Sequence, residues 1–353
     1  MARSYSTLVC LGSSHLPIPV LLPYQVRSIM TALKIFSDSP LSSSDKQFLL
    51  EGAAPHEILF PEKAVSSVLG VPQPDVSFHL ADIAFGQPDL ESIARSERLK
   101  WIHVSSAGFT RYDTPDFRRL VAERGLIVTN SSNVYADSCA DHVFAFMLAH
   151  SRKLPQALQS QAPNASPEWF QLRAESVSLR GQSVVILGFG AIATALVKLL
   201  GPYEMTITAM RRSPRGNEGV MTVTPEGLPA ALATADHVIN ILPDNHASRN
   251  FINATCIAHM KPGVAIHNIG RGTTIHQDDL LEALRSGQVS AAWLDVTDPE
   301  PLPADHSLRR EPNCFITPHI AGGHQGESQT LIRHFLKNLR CYNEGMPLTD
   351  RIM

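Results

Sequence analysis

The sequence predicts an α/β protein built on doubly wound parallel sheets, and three observations carry that expectation. Short apolar runs alternate with helical stretches along most of the chain. One of those runs ends in a glycine turn that opens a helix. The length, 353 residues, allows two domains, each burying a core of its own.

The glycine turn is the most specific of the three. Residues 184–187 read as a buried parallel strand, followed by Gly188-Phe189-Gly190-Ala191-Ile192-Ala193, a G-x-G-x-x-A pattern. A helix then runs through Leu200, and residues 206–210 form the next strand, completing a βαβ unit. Gly188 permits the tight turn, Gly190 lets the backbone approach a pyrophosphate, and Ala193 allows close packing of helix on strand. The helix N-terminus offers unpaired N–H donors to an anion. Strand, turn, helix and strand arriving in order point to dinucleotide binding rather than to a structural glycine turn.

Taken in order, residues 7–11 are expected to be a first strand and residues 37–44 a loop. The stretch between them is an extension or a helix. Strands are expected at 57–60, 81–86, 100–104 and 125–129, with a short helix at 90–94. Asp137 is placed to cap a helix running to about Lys153, whose wide apolar face calls for burial against a neighbour or a second subunit. Residues 155–167 are expected to be a surface loop. Further strands are expected at 237–242, 264–268, 291–296 and 314–317. Gly287 stops a helix over 278–286, and an amphipathic helix spans 327–342.

Composition narrows the function classes. Charged residues make up 18% and the formal net charge is −3, which gives no electrostatic case for nucleic acid or an anionic membrane. Five scattered cysteines without C-x-x-C spacing suit a reducing compartment, and the expected location is the cytoplasm. Residues 7–11 are too short for a signal-peptide core, and Pro17 and Pro19 break the apolar patch at 16–22. Fifteen histidines include no H-x-x-x-H or Cys/His cluster, so no metal site is expected.

Three polar side chains follow strand ends: Arg271, Glu300 and His319. Ligands of open α/β sheets bind beyond those ends. Hydride transfer to a carbonyl carbon needs a proton donor for the oxygen, and His is the usual one near neutral pH. A neighbouring carboxylate fixes the imidazole tautomer, and an Arg recognises a substrate carboxylate in bidentate fashion. The strand at 100–104 runs into Ser105-Ser106-Ala107-Gly108-Phe109, where backbone N–H groups at Ala107 and Gly108 either cradle a carboxylate or form an ordinary turn.

Asn268-Ile-Gly-Arg271-Gly, Leu294-Asp295-Val296 with Glu300-Pro301-Leu302, and Thr317-Pro-His319-Ile-Ala-Gly322 together resemble the D-isomer-specific 2-hydroxyacid dehydrogenase family. Lys261-Pro262-Gly263 and the Gly188-x-Gly190 turn match in order, so the resemblance covers about residues 80 to 325. It implies two Rossmann-like domains, the nucleotide domain (134–319) inserted into a discontinuous, flavodoxin-like substrate domain (1–133 and 320–353), and a homodimer. It implies that Arg271 orients substrate, that His319 is the acid–base group paired with Glu300, and that Asp295 bonds the nicotinamide carboxamide. Ala107 and Gly108 fall in the carboxylate-binding loop, although the common Gly-Val-Asp wording is absent. The remaining cofactor contacts are expected from Leu242, Pro243, Ile269, Gly270 and Gly322. Glu300 stands where the formate dehydrogenase branch has Gln.

NAD-specific members end the second strand with an Asp that bonds the ribose hydroxyls. Here Arg211, Arg212 and Ser213 stand there, with Arg215 close behind. Guanidiniums and a hydroxyl suit a 2′-phosphate, so NADP(H) is expected over NAD(H); exposed arginines after a strand are the plain alternative. The reaction expected is reduction of a small 2-keto acid to a D-2-hydroxy acid, or its reverse. The rivals are a nucleotide-sensing, corepressor-like binding protein and a dehydrogenase for another small anion. His324 reads as a solvated loop residue.

Overall fold

The structure is a computed structural model that describes residues 32–62 and 72–353. The strand expected at 7–11 lies outside the described residues.

The first sheet contains β1 (Lys34–Ser37), β2 (Glu57–Leu59), β3 (Ile83–Gly86), β4 (Trp101–Val104) and β5 (Ile127–Thr129). Its order is β2-β1-β3-β4-β5, and every pair is parallel. Helices α1 (Ser43–Ala53), α2 (Leu90–Arg95) and α3 (Pro115–Arg124) connect these strands. The long α4 (Ser132–Ser151) then leads through α5 (Leu154–Ser160) and α6 (Pro167–Glu175) to the second sheet.

That sheet holds β6 (Ser183–Leu187), β7 (Thr206–Met210), β8 (Met221–Val223), β9 (His237–Asn240), β10 (Val264–Asn268), β11 (Val289–Leu294) and β12 (Cys314–Ile316). The helices between them are α7 (Ala191–Leu200), α8 (Leu228–Leu232), α9 (Ala254–Ala258) and α10 (Gln277–Ser286); α11 (Glu327–Asn343) follows β12. The order is β12-β11-β10-β9-β6-β7-β8, all parallel. The order reverses between β6 and β9, and such a switch point opens a crevice beyond the strands' carboxyl ends. The molecule is thus two parallel-sheet α/β domains of the Rossmann-like kind.

One core joins the layers around α4. Its Val143 and Met147 are fully buried and share a cluster with Ile83 and Phe85 of the first sheet and Val184 and Ile186 of the second. Val143 and Met147 of the apolar face of α4 are thus buried within the chain, while Phe144 and Leu148 are half-buried. After β12 the chain returns to the first sheet. Phe335 of α11 stacks on Phe85 at 4.3 Å and on Trp101 at 5.3 Å between ring centroids. Beyond α11, Arg351 bridges Thr129 in antiparallel fashion, extending the edge at β5. No helix among the described residues is long and apolar enough to cross a membrane.

Four expectations need correction. Residues 34–37 form β1, a strand placed between β2 and β3, rather than lying in an extension or helix. The serine-rich stretch taken as a loop contains a helix start, for Ser42 accepts a hydrogen bond from Asp45 N at 3.1 Å. Helix α4 begins at Ser132, five residues before Asp137, because Asn130 Oδ1 accepts from both Ser132 N and Ser132 Oγ. The expected loop at 155–167 encloses most of α5 and the start of α6; proline lies in the first turn of both, where its missing N–H is harmless.

Candidate active site

The glycine turn is built as its residues require. Gly188 has φ +95°, a left-handed conformation that side chains disfavour, and a Cβ there would come within 3.4 Å of Ile241 O. Gly190 begins α7 without a side-chain cap, and the space where its Cβ would stand is open to 4 Å. An anion therefore has clear access to the first N–H groups of α7.

Two cavities flank this turn and share Leu242 and Pro243 in their walls. The larger, ≈ 570 Å³, runs from Gly188 and Phe189 to Arg211, Arg212, Ser213 and Arg215. Its arginines do not all stand free. Arg211 Nη1 lies 3.2 Å from Glu218 Oε1, which also accepts from Arg215 N at 2.7 Å. The Glu218 side chain is 2% exposed, and the backbone N–H of Arg215, ahead of other backbone donors and Arg211, holds its carboxyl below the ordinary range. The residues present fit a phosphorylated dinucleotide: open amides at the turn, and guanidiniums with a hydroxyl at the far end.

The smaller cavity, ≈ 260 Å³, has Ala107 and Gly108 in one wall and Ile269, Gly270 and Arg271 in another, with Gly190, Ala191 and Ile192 between. Gly108 and Arg271 are closely apposed, since a Cβ on Gly108 would fall 1.7 Å from Arg271 Nη2. The loop is held from behind. Asn130 Nδ2 donates to Ala107 O at 2.7 Å, and Ser106 Oγ donates to Gly108 O at 2.6 Å. Gln87 Nε2 in turn donates to Ser106 Oγ at 2.9 Å, while Gln87 N donates to Asp38 Oδ1 at 2.7 Å. Burial pushes the Asp38 carboxyl up to about 6, against the pull of that N–H and of Arg111. Arg271 is set by its own turn: Nη1 donates to Gly270 O, and Arg271 O accepts from Asn268 Nδ2 and Thr274 Oγ1.

His319 and Glu300 form a pair at 2.5 Å between Nδ1 and Oε1. They come from the turns after β12 and β11, and Arg271 from the turn after β10, so three adjacent parallel strands deliver all three from one edge. Arg271 alone of the three lines the smaller cavity; the His319–Glu300 pair belongs to the adjoining turns.

Asp295 lies beneath the His319 turn, 2% exposed. Its Oδ1 accepts from Thr317 Oγ1 at 2.6 Å and Ile320 N at 2.9 Å, and its Oδ2 from Ala321 N at 2.9 Å. Its backbone carbonyl accepts from His319 N, whose residue holds φ +54°. In this structure Asp295 fixes the backbone that carries His319. Helix α4 supports the same turn, with His142 Nε2 3.2 Å from Thr317 Oγ1 and Tyr135 3.2 Å from where a Gly322 Cβ would stand. His324 is half-buried; its Nδ1 lies 3.0 Å from Gln325 O and its carbonyl accepts from Glu327 N at 3.2 Å.

Sequence reading missed Asn130, Gln87 and Glu218. Asn130 carried a signal, a polar residue directly after a strand. Glu218 carried none, because only the fold of the β7–β8 connection returns it to Arg211.

The turn, the cavities and the strand-end residues define a nucleotide-dependent oxidoreductase of the α/β class. Residues 144–321 match the family model described as D-isomer specific 2-hydroxyacid dehydrogenase, NAD binding domain. Among curated relatives, the glyoxylate reductase/hydroxypyruvate reductase of Homo sapiens is 29% identical over 265 residues, covering 73% of this chain and 78% of that protein. The glyoxylate/hydroxypyruvate reductase A of Serratia proteamaculans is 32% identical over 247 residues, covering 67% and 74%. Among solved structures, a D-isomer specific 2-hydroxyacid dehydrogenase from Xanthobacter autotrophicus Py2 superposes with TM-score 0.73 at 24% identity, covering 92% of this chain and 98% of that one, a likeness of fold. The chain belongs to the D-isomer-specific 2-hydroxyacid dehydrogenase family. Its chemistry is NAD(P)-dependent reduction of a 2-keto acid.

Proposed function

We propose that the chain reduces small 2-keto acids of the glyoxylate and hydroxypyruvate type to D-2-hydroxy acids, with NADPH preferred to NADH. The observation that carries this reading is the apposition of Arg271 to the Ala107–Gly108 loop in a cavity that opens on the N-terminus of α7. Such a cavity holds a carboxylate between a guanidinium and backbone amides. At ≈ 260 Å³ it is smaller than the ~300–1,000 Å³ of drug-sized ligand sites, which suits a substrate of few atoms.

Arg271 and the amides of Ala107 and Gly108 orient the keto acid. His319 donates a proton from Nε2 to the keto oxygen as C2 gains a hydride. Its Nδ1–H donates to Glu300 throughout, which fixes the ring and its tautomer. The reduced nicotinamide, when bound, supplies that hydride. Gly188, Phe189, Gly190, Ala191 and Ile192 would hold its pyrophosphate, and Arg211, Arg212 and Ser213 the 2′-phosphate. Leu242, Pro243, Ile269, Gly270, Asp295 and Gly322 frame the nicotinamide end.

Residues 134–319 act as the nucleotide domain, and 1–133 with 320–353 as the substrate domain; the packing of α11 on the first sheet supports that division. Closure of the two over the cavities excludes water. The chain works as a homodimer in the cytoplasm, without nucleic acid or membrane as a partner.

Glyoxylate, hydroxypyruvate and phenylpyruvate, each assayed with NADPH and with NADH, test the reading. Turnover of the first two with NADPH is expected. A clear preference for NADH ends the cofactor assignment, and no turnover of any acid ends the substrate assignment.

A further inference from the structure

The smaller cavity has one wall that comes from far along the chain. Ile352 lines it together with Phe109 and Thr110 of the carboxylate loop. Phe109 and Ile352 also pack on the same hydrophobic core beneath the first sheet. Ile352 reaches that place because residues 350–353 run antiparallel beside β5. Ile352 N donates to Val128 O at 2.8 Å, Val128 N donates to Met353 O at 3.1 Å, and Asn130 N donates to Asp350 O at 3.0 Å.

The strap is anchored by side chains as well. Asp350 accepts from Asn133 N at 3.0 Å and Asn133 Nδ2 at 2.6 Å, and lies 3.1 Å from His334 Nε2 of α11. Both His334 and Asp350 have side chains only 10% exposed. Asn130, which receives the strap's backbone, is the residue that also holds Ala107 O. The strap and the Ala107–Gly108 loop are thus tied to one residue, and Ile352 lines the same cavity as Ala107, Gly108 and Arg271.

From this geometry we infer that residues 350–353 form a size filter for the substrate, with Ile352 as its specificity-determining side chain. The inference rests on the 2-keto acid reading above and deepens it. A keto acid held by its carboxylate at Ala107–Gly108 and Arg271 directs its C3 substituent away from those groups, and Ile352 with Phe109 is the apolar boundary it meets. The site then accepts a hydrogen or a hydroxymethyl group at C2 and excludes branched or aromatic substituents. The filter acts on shape, and rigid apolar walls discriminate by about 10- to 200-fold per methylene.

The test compares kcat/KM for glyoxylate, hydroxypyruvate and 2-ketoisocaproate in the native protein, in Ile352→Ala and in Ile352→Phe. The Ala variant is expected to raise the 2-ketoisocaproate-to-hydroxypyruvate ratio by at least about tenfold, a single-methylene change at its low end. The Phe variant is expected to lower the hydroxypyruvate-to-glyoxylate ratio. The NADPH KM stays at its native value in both, a split that general loosening of the fold would not produce. Ratios unchanged in both variants, with the native protein active, overturn the filter and leave the 2-keto acid reading standing. Failure of both variants to fold also overturns it, because Ile352 would then serve the core alone. A native protein inactive on all three acids overturns the reading and the filter together.

Discussion

Gly108 shows what a single missing side chain does for this site. The space a methyl group would take there is occupied by Arg271, at 1.7 Å. Gly108→Ala is therefore expected to displace the guanidinium, raising the keto acid KM and lowering kcat/KM by roughly 100-fold, since misplacement by about 1 Å has that effect. Binding of NADPH, followed by fluorescence, should stay native. Behind the loop, Asp38 makes a prediction about pH. Its folded-state pKa, about 6, is above the ordinary 3.8, so the folded protein holds this proton more tightly than the unfolded chain does. The stability it contributes is present below pH 3.8 and is lost as pH rises through about 6. Asp38→Asn removes that slope. Urea unfolding at pH 4 and pH 7 should show native stability falling relative to the variant by about 2 kcal/mol. Equal pH slopes would contradict it.

Among the elements, the connection from β7 to β8 is where the proposed preference for NADPH is tested. Glu218 pins Arg211 and the Arg215 backbone in one contact, with Gly216 and Gly219 at positive φ on either side. Glu218→Ala should free this connection and raise the NADPH KM several-fold, leaving kcat and the NADH KM unchanged; a matching rise for NADH would mean the loop serves the fold and not the phosphate. Helix α11 carries a different load. Phe335 is fully buried against Phe85 and Trp101, so Phe335→Ala should cost about 3–5 kcal/mol in chemical denaturation. Long periodic elements such as α11 and β10 were legible in the sequence because burial on one face, or on both, writes a pattern. The stretch at 155–167 was not, because α5 and α6 bury none of their own side chains and so carry no apolar period. For β1 the reason is its length. Four residues ending in Ser37 and running on into Asp38 and Ser39 read as polar, although all three are buried.

At the scale of the molecule, two parallel sheets present their strand ends to a crevice that neither could build alone. The first supplies the Ala107–Gly108 loop and the second Arg271, with the His319–Glu300 pair on the adjoining strand-end turns. The glycine turn could be read from its own pattern, and the placing of Arg271, Glu300 and His319 after strand ends from several motifs arriving in order. The supports could not, because Asn130, Gln87 and residues 350–353 act through contacts that only the folded chain creates. The account depends on His319 giving its proton to the keto oxygen. Its most direct measurement is the initial rate of nicotinamide oxidation with hydroxypyruvate in His319→Gln, alongside NADPH binding to the same variant. The account predicts a rate lower by about 100- to 10,000-fold with binding unchanged, the range of general acid catalysis. A variant that turns over at the native rate would contradict it.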